Sequence, residues 1–228
     1  MYQGIIFDFN GVLLWDTPQH EQVWKDFSRK IRGTALTDEE IARHVHGRTN
    51  PYILQYLMNG TLTPEEIARL SHEKEALYRE ICLNEWTDFR LSPGAVALLD
   101  DLVAQGIPRT IATASEKENV DFYIEYLDLA RWFELDKIVY GDGVIPGKPA
   151  PDMYLKAAEY LALPPETCVV VEDSVSGMQA AHAAGIGHLI ALGPVEQHAR
   201  LRQVPGVHRT VENLSQIPRG PFFFSKTV

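Results

Sequence analysis

Cysteine, long apolar runs and a secretory leader are all missing or scarce in this sequence. Its two cysteines, Cys82 and Cys168, are too few for a disulfide framework, and Cys168 begins an apolar run that predicts a core position. No apolar run reaches the roughly 18 residues of a membrane span, and the cluster of Phe222, Phe223 and Phe224 is too short for an anchor. The N-terminus has no basic segment before a long apolar one. These absences favour a cytoplasmic protein.

Positive charge is scarce as well. Lys and Arg number 21 against 31 Asp and Glu, which gives a net charge of −10. This balance argues against a nucleic-acid partner, although an acidic protein can bind phosphates where it supplies a local cation or a metal ion. With 45% apolar residues, the chain can bury one large domain, or a medium domain with a smaller insert.

Short apolar or β-branched runs bounded by turn residues predict six strands. They cover residues 4–7, 109–112, 137–140, 168–171 and 188–192, with a weaker run at 207–211. Helical patterns lie between most of them, at 93–105 after the cap residue Ser92, and at 118–127, 151–161 and 176–184. This alternation predicts an α/β fold with a Rossmann-like, doubly wound parallel sheet covered by helices on both faces.

A continuous helical block interrupts the alternation between the first two strands. Its helical patterns cover residues 19–31, 38–46, 52–58 and 64–83. Thr37 with Glu40, and Thr63 with Glu66, have the spacing of capping boxes, which mark two helix starts. We therefore expect an inserted, all-helical domain over residues 15–86 and a discontinuous core domain made of residues 1–14 and 87–228.

Chemically versatile residues follow four of the predicted strands in turn. Each alone has an ordinary explanation, such as a helix cap, a strand end or a solvated loop charge. In a doubly wound sheet, however, ligands bind at the carboxyl ends of the strands, so residues in this order should share one site. The residues are Asp8 and Asn10 after the first strand, Thr113, Ala114 and Ser115 after the second, Lys148 after the third, and Glu172 and Asp173 after the fourth.

These stretches resemble the motifs of the haloacid dehalogenase-like hydrolases. "FDFNGVLL" is similar to the first motif of that family, D-x-D-G-V/T, and "IATAS" to the second. "GKPAPD" and "VVVEDSVSG" resemble the third and fourth, in the form found in the branch of β-phosphoglucomutase and small sugar or glycolate phosphatases. That branch carries a helical cap directly after the first motif, where the helical block stands here.

The resemblance implies a phosphatase-type hydrolase of small phosphomonoesters such as sugar phosphates. Asp8 would be the nucleophile and would form an aspartyl-phosphate. Lys148 would balance the charge of nucleophile and phosphate. Thr113, the backbone N–H of Ala114, and Ser115 would bind the phosphate.

The resemblance also implies a Mg²⁺ site, which suits an all-oxygen ligand set. Its protein ligands would be the Asp8 carboxylate, the backbone carbonyl of Asn10, and Asp173, with Glu172 nearby.

Asn10 departs from the family pattern, in which a second acid protonates the leaving oxygen and then takes a proton from water. An amide does not titrate near neutral pH, so a factor of about 10²–10⁴ from proton transfer would be lost. The backbone carbonyl is unchanged, and the side-chain NH₂ could donate to the leaving oxygen. Three explanations stay open: an engineered Asp→Asn replacement, a natural variant with slow or altered chemistry, and a non-catalytic phosphate-binding descendant.

Substrate selection is expected from the helical block. In relatives, a histidine at the position of His20 lies over the active site, and the loop beginning at Gly47 contacts the distal end of the substrate. Trp24 fits a core position, and Gly47 could also be a helix C-cap. Arg48 follows this glycine directly, whereas the mutase has its phosphate-binding arginine at the position of Asn50. A hydrolase therefore fits better than a mutase.

Other reactions of the family fit less well. Its dehalogenases need no metal, which would leave Glu172 and Asp173 unexplained, and its phosphonatases use a cap lysine that has no clear counterpart here. The alternatives are a non-catalytic protein that binds a phosphometabolite, and a β-phosphoglucomutase-like phosphotransferase. The expected partner is a small phosphorylated metabolite, with neither nucleic acid nor membrane. The oligomeric state is open, with a monomer favoured.

Overall fold

The computed structural model describes residues 2–219, so the cluster of Phe222, Phe223 and Phe224 lies outside the described residues. Within that range, six strands form one sheet in the order β3-β2-β1-β4-β5-β6, and every pairing is parallel. The strands are β1 (Gly4–Phe7), β2 (Arg109–Glu116), β3 (Val139–Gly141), β4 (Cys168–Glu172), β5 (His188–Leu192) and β6 (Val207–Val211). The predicted α/β fold class is confirmed.

Nine α-helices complete the described part of the chain. Four lie between β1 and β2: α1 (Thr17–Arg32), α2 (Asp38–His44), α3 (Asn50–Leu57) and α4 (Pro64–Asn84). The other five are α5 (Ala95–Ala104), α6 (Lys117–Leu127), α7 (Asp152–Tyr160), α8 (Val175–Ala183) and the short α9 (His198–Leu201). No helix in residues 2–219 combines the length and the apolar character that crossing a membrane requires.

Both faces of the sheet contribute to hydrophobic clusters, since successive strand residues point to opposite sides. Ile5 and Phe7 of β1 belong to one hydrophobic cluster, and Ile6 between them belongs to another. Cys168 is buried, as predicted, and Cys82 is buried as well, and neither forms a disulfide. Continuous apolar strands of this kind are typical of a parallel sheet covered by helices.

Strands β1 and β4 lie side by side where the strand order reverses, which is the usual ligand position of such sheets. Phe7 pairs with Val171, and the backbone N–H of Asp8 donates to the carbonyl of Val171 at 3.0 Å. The residues that follow both strands are therefore held at the same level.

Helices α1 to α4 pack around a hydrophobic cluster of their own, which includes Trp24, Phe27 and Ile53. Trp24 is buried, as predicted. Both capping boxes are present: Thr37 with Glu40 begins α2, and Thr63 with Glu66 begins α4. The division of the chain at residues 15 and 86 stays a prediction.

Several element boundaries differ from those predicted, and two of the differences have a clear cause in the structure. Strand β2 continues to Glu116 because its last residues pair with β3 across a register shift, so the second motif lies within the strand. Helix α5 begins at Ala95 and is capped by Gly94. The Ser92 hydroxyl instead donates to the carbonyl of Val12 at 2.6 Å, so a tertiary contact takes the predicted cap residue away from the helix.

Candidate active site

Asp8 lies directly after β1 and is buried against Lys148. Lys148 Nζ is 2.9 Å from Asp8 Oδ1 and 2.6 Å from Glu172 Oε1. Burial raises the pKa of Asp8 to about 7, with the charge of Lys148 opposing the shift and that of Glu172 adding to it. Burial alone would lower the pKa of Lys148, but the two carboxylates raise it above its ordinary value. Lys148 is therefore a fixed cation beside the Asp8 carboxylate.

Both oxygens of Glu172 have protein partners. Oε1 accepts hydrogen bonds from Lys148 and from the Tyr154 hydroxyl, at 2.6 and 3.0 Å. Oε2 accepts from the backbone N–H and the hydroxyl of Ser174, at 2.7 and 3.0 Å. The geometry thus favours a supporting role for Glu172, in which it holds Lys148 and the β4–α8 turn, over direct metal coordination.

Asp173 is the acid of this group with the fewest partners, because within residues 2–219 its carboxylate accepts no hydrogen bond. Burial, followed by the charges of Glu172 and Asp8, raises the pKa of Asp173 well above its ordinary value. A side chain on Gly11, which has φ +79°, would place its Cβ 2.0 Å from Asp173 Oδ2. The glycine of the first motif therefore makes room for this carboxylate.

These acids fit a divalent cation. One oxygen each from Asp8, Glu172 and Asp173 lies within 4.8 Å of the others. Crowded carboxylates raise one another's pKa, and a cation between them removes that repulsion. Since Glu172 is already hydrogen-bonded, Asp8 and Asp173 are the side chains that fit Mg²⁺, a cation that prefers oxygen ligands.

Both polar atoms of the Asn10 side chain have hydrogen-bond partners within the protein. Its Nδ2 donates to Asp16 Oδ2 at 2.6 Å and to the Tyr123 hydroxyl at 3.0 Å. Its Oδ1 accepts from the hydroxyls of Ser115 and Thr113, at 2.7 and 3.3 Å. An amide nitrogen carries two protons, so neither is left for a leaving oxygen. The suggested hydrogen bond from Asn10 to the leaving group is wrong for this arrangement.

The second motif lies beside Asn10 at the end of β2. Thr113 is buried and accepts the backbone N–H of Ser115 at its hydroxyl, at 3.1 Å. Thr113, Ala114 and Ser115 all line the same cavity as Asp8 and Asp173. The structure therefore brings the predicted phosphate-binding groups together with the predicted nucleophile.

The cap residues predicted to contact substrate also face this cavity. His20, Gly47 and Arg48 are among its lining residues. Arg48 donates to the Lys148 carbonyl at 3.2 Å and stacks over the Tyr52 ring at 4.7 Å. Gly47, with φ +67°, lies where a Cβ would come within 2.3 Å of the Ser174 hydroxyl. It follows the end of α2 by three residues, so it serves the close contact between cap and core and does not cap that helix.

Among the cavity residues that the sequence reasoning missed are Lys74 and Glu75 of α4. Lys74 Nζ lies 3.0 Å from His20 Nδ1 and 2.9 Å from Glu75 Oε1. Glu75 also accepts from Asn50 and Asn119 at 2.7 and 2.6 Å. A lysine from the helices between β1 and β2 thus reaches the cavity, although the sequence indicated no clear candidate. Both residues belong to an ordinary amphipathic helix pattern, and no local signal sets them apart.

The sequence reasoning also missed three residues that contact Asn10 or His20 and do not line the cavity. They are Asp16, Tyr78 and Tyr123. Asp16 is fully buried and accepts the Tyr78 hydroxyl at Oδ2. Its Oδ2 also lies 3.2 Å from His20 Nε2. Burial opposes ionisation of Asp16. The charge of His20 and hydrogen bonds from His20, Tyr78 and Asn10 nevertheless hold the pKa of Asp16 below its ordinary value. The one sequence signal was the acid Asp16 shortly before the first helical pattern.

Comparison with known proteins agrees with this fold and site. The family model for haloacid dehalogenase-like hydrolases matches residues 2–185. Hexitol phosphatase A of Escherichia coli is 31% identical over 216 residues, which cover 93% of this chain and 93% of that protein. A fructose-1-phosphate phosphatase of Escherichia coli is 30% identical over 192 residues, covering 81% of this chain and 94% of that protein.

A crystal structure shows the same likeness in three dimensions. It is that of a family IA, variant 3 hydrolase from Entamoeba histolytica, with a TM-score of 0.84, 36% identity and 95% of each chain covered. The chain therefore belongs to the haloacid dehalogenase-like hydrolases. Its branch is the one that contains β-phosphoglucomutase and the sugar phosphatases, as the motifs predicted.

Proposed function

We propose that the chain is a Mg²⁺-dependent, phosphatase-type hydrolase of small phosphomonoesters, sugar phosphates or similar metabolites, that works through an aspartyl-phosphate on Asp8. The observation that carries this proposal is the convergence of Asp8, its partner Lys148, and Asp173 at the ends of neighbouring strands below one cavity. Relatives named as hexitol and fructose-1-phosphate phosphatases support the substrate class.

In this proposal the Asp8 carboxylate attacks a phosphoryl group. Attack forms an acyl phosphate on Asp8 and breaks the bond between phosphorus and the ester oxygen, which splits hydrolysis into two displacements. Lys148 at 2.9 Å favours the ionised form of the nucleophile against the burial that raises its pKa, and it balances the incoming charge. Mg²⁺, held by Asp8 and Asp173, would neutralise the charge between the carboxylate and the phosphoryl group.

Asn10 makes this chemistry slow. The leaving alkoxide needs a proton and the water that attacks the acyl phosphate needs a base, and an amide supplies neither. Proton transfer of this kind contributes about 10²–10⁴-fold. We therefore propose that turnover is limited most for substrates with poor leaving groups, and that the phosphorylated form of Asp8 persists.

The cap favours a polar substrate. Lys74, Arg48 and His20 present nitrogen atoms at the cavity, while Trp24 and Ile53 supply apolar wall. Asn50 is buried and donates to Glu75 at 2.7 Å, so it does not stand free for a second phosphate. This supports a hydrolase over a β-phosphoglucomutase-like phosphotransferase.

The test is covalent labelling of Asp8. Incubation with Mg²⁺ and p-nitrophenyl phosphate, whose phenolate needs little protonation, should add one phosphoryl group that mass spectrometry maps to Asp8. The Asp8→Asn variant should show no adduct. Phosphate release without any adduct would mean that water attacks directly and that our role for residue 10 is wrong.

A non-catalytic binding protein is the second candidate, and the loss of the acid at Asn10 is the observation that favours it. It would bind phosphometabolites with the same residues but would leave Asp8 unmodified. The labelling experiment separates the two, because a protein that binds phosphate in calorimetry and never acquires the adduct is the binding protein.

A further inference from the structure

Asn10 and Asp16 form a closely packed pair of side chains that differ only as amide and acid. Asn10 Nδ2 donates to Asp16 Oδ2 at 2.6 Å. Asn10 lines the cavity, whereas Asp16 is fully buried behind it. The carboxylate of the pair is thus kept out of the cavity, at the position where it cannot touch substrate.

The surroundings of residue 16 suit a carboxylate. Its Oδ2 accepts from Asn10 and from the Tyr78 hydroxyl, and lies 3.2 Å from His20 Nε2. Its Oδ1 accepts the backbone N–H of Gly11 at 3.2 Å. An amide accepts at only one of its two terminal atoms, so asparagine here would oppose a donor with a donor in either orientation.

The surroundings of residue 10 suit an amide. Its nitrogen faces two acceptors, Asp16 Oδ2 and the Tyr123 hydroxyl, with His20 Nε2 3.3 Å away, and its oxygen faces two hydroxyl donors, those of Ser115 and Thr113. An ionised acid here would bring two carboxylate oxygens to the 2.6 Å contact with no donor between them. Like charges at that distance in a buried site are strongly unfavourable.

We propose that Asp16 is a positioning residue that fixes residue 10 as an amide. Asn10 is then native to this chain. A carboxylate can be placed at the cavity only by exchanging the two residues. An engineered Asp→Asn replacement would require a parent with two acids at this contact, and decay would not leave the partner so well matched. The activity readout of this inference rests on the proposed function, and its stability readout does not.

The exchange satisfies every group in the pair. With Asn10→Asp and Asp16→Asn together, the amide at position 16 donates to the acid at position 10 and to the Tyr78 hydroxyl. Its oxygen still accepts the Gly11 N–H. The acid at position 10 keeps the hydroxyl donors Ser115 and Thr113, and the Tyr123 hydroxyl, which accepts from Asn10 in the wild type, turns to donate to it. The acid now lines the cavity.

A four-member cycle tests the pair through stability. The proteins are the wild type, Asn10→Asp, Asp16→Asn and the double variant, each measured for its Tm without added Mg²⁺. Each single change should lower the Tm by at least about 3 °C, and the double variant should recover more than half of the summed loss. Losses that simply add, or an Asn10→Asp protein as stable as the wild type, would overturn the inference.

Turnover of two substrates then separates a positioning role from a structural one. The double variant should raise the ratio of turnover on an alkyl phosphate, such as glycerol 2-phosphate, to turnover on p-nitrophenyl phosphate by about tenfold or more over the wild type. A coupled Tm with an unchanged ratio contradicts the positioning role. A coupled Tm with no phosphate released by any of the four proteins leaves the matched pair standing and contradicts the proposed hydrolase.

Discussion

Asp173 shows at the scale of a residue how a site can be kept at the expense of stability. Its carboxylate lies beside Asp8 and Glu172, and within residues 2–219 it accepts no hydrogen bond that would compensate for the repulsion. Glu172, by contrast, has a donor at each oxygen. Asp173 is therefore the acid whose charge the fold does not need and which a bound cation would use.

Replacing Asp173 by asparagine should stabilise the protein and weaken its response to Mg²⁺. The change removes one like charge without changing the shape of the side chain, so we expect the free energy of unfolding to rise by about 1 kcal/mol, or the Tm by roughly 2–4 °C. The rise in Tm that Mg²⁺ gives the wild type should largely disappear, because ligand stabilisation follows affinity. Thermal unfolding with and without Mg²⁺ measures both effects.

Asp26→Asn on the exposed surface of α1 is the control and should change both values little, because its surface ion pair with Arg29 contributes little to stability. An Asp173→Asn protein that unfolds earlier than the wild type and keeps its full Mg²⁺ response would show that this carboxylate is structural.

At the scale of the element, the two capping boxes of the cap form a natural comparison. Both have the reciprocal Thr–Glu hydrogen bonds that the sequence predicted. Glu40 in addition binds Arg32 through two bonds, at 2.8 and 3.0 Å, and accepts the Tyr56 hydroxyl at 2.8 Å. The first box therefore joins α1, α2 and α3, whereas the second marks only the start of α4.

Glu40→Ala should consequently cost more than Glu66→Ala, although the local motif is the same. We expect a loss of about 1–2 kcal/mol for Glu40→Ala and less than about 1 kcal/mol for Glu66→Ala. Urea unfolding of both variants gives the comparison. Equal losses would mean that the contacts of Glu40 with Arg32 and Tyr56 add nothing to the capping box.

At the scale of the whole molecule, Glu75 connects the cap to the core. It is buried on α4, and it accepts hydrogen bonds from Lys74, from Asn50 on α3 and from Asn119 on the core helix α6. Burial opposes ionisation, but Lys74, His20 and these hydrogen bonds lower the pKa of Glu75 to about 2. A single ionised side chain thus ties three helices together over the cavity.

The low pKa of Glu75 predicts how stability depends on pH. A carboxyl with a lowered folded-state pKa contributes stability above its unfolded pKa of 4.5, and this contribution is lost as the pH falls toward 2. The wild type should therefore lose on the order of 2–3 kcal/mol over this range that Glu75→Gln does not lose. Chemical unfolding between pH 5 and about pH 3 measures the difference.

Glu80→Gln, an exposed change on the same helix, should keep the wild-type pH dependence. If Glu75→Gln shows the same acid-induced loss as the wild type, then Glu75 is not the group that titrates.

The sequence by itself determined the sheet, the cap helices and the order of Asp8, Thr113, Lys148 and Asp173. The reason is physical: apolar runs specify buried strands, capping boxes act within four residues, and the carboxyl ends of parallel strands meet at one edge. Local patterns failed where a distant contact competed. The Ser92 hydroxyl was predicted to cap α5, and it donates instead to the carbonyl of Val12.

Only the tertiary structure decided what surrounds residue 10. Its amide contacts Asp16 from the start of the cap and Tyr123 from the core helix α6, and Lys74 from α4 reaches the same cavity through His20. No periodicity or spacing in the sequence indicates these contacts. They join segments that are far apart in the chain, and their side chains meet only in the folded protein. The sequence therefore indicated an amide where the family pattern has an acid, and the fold showed that this amide donates to a buried acid at position 16.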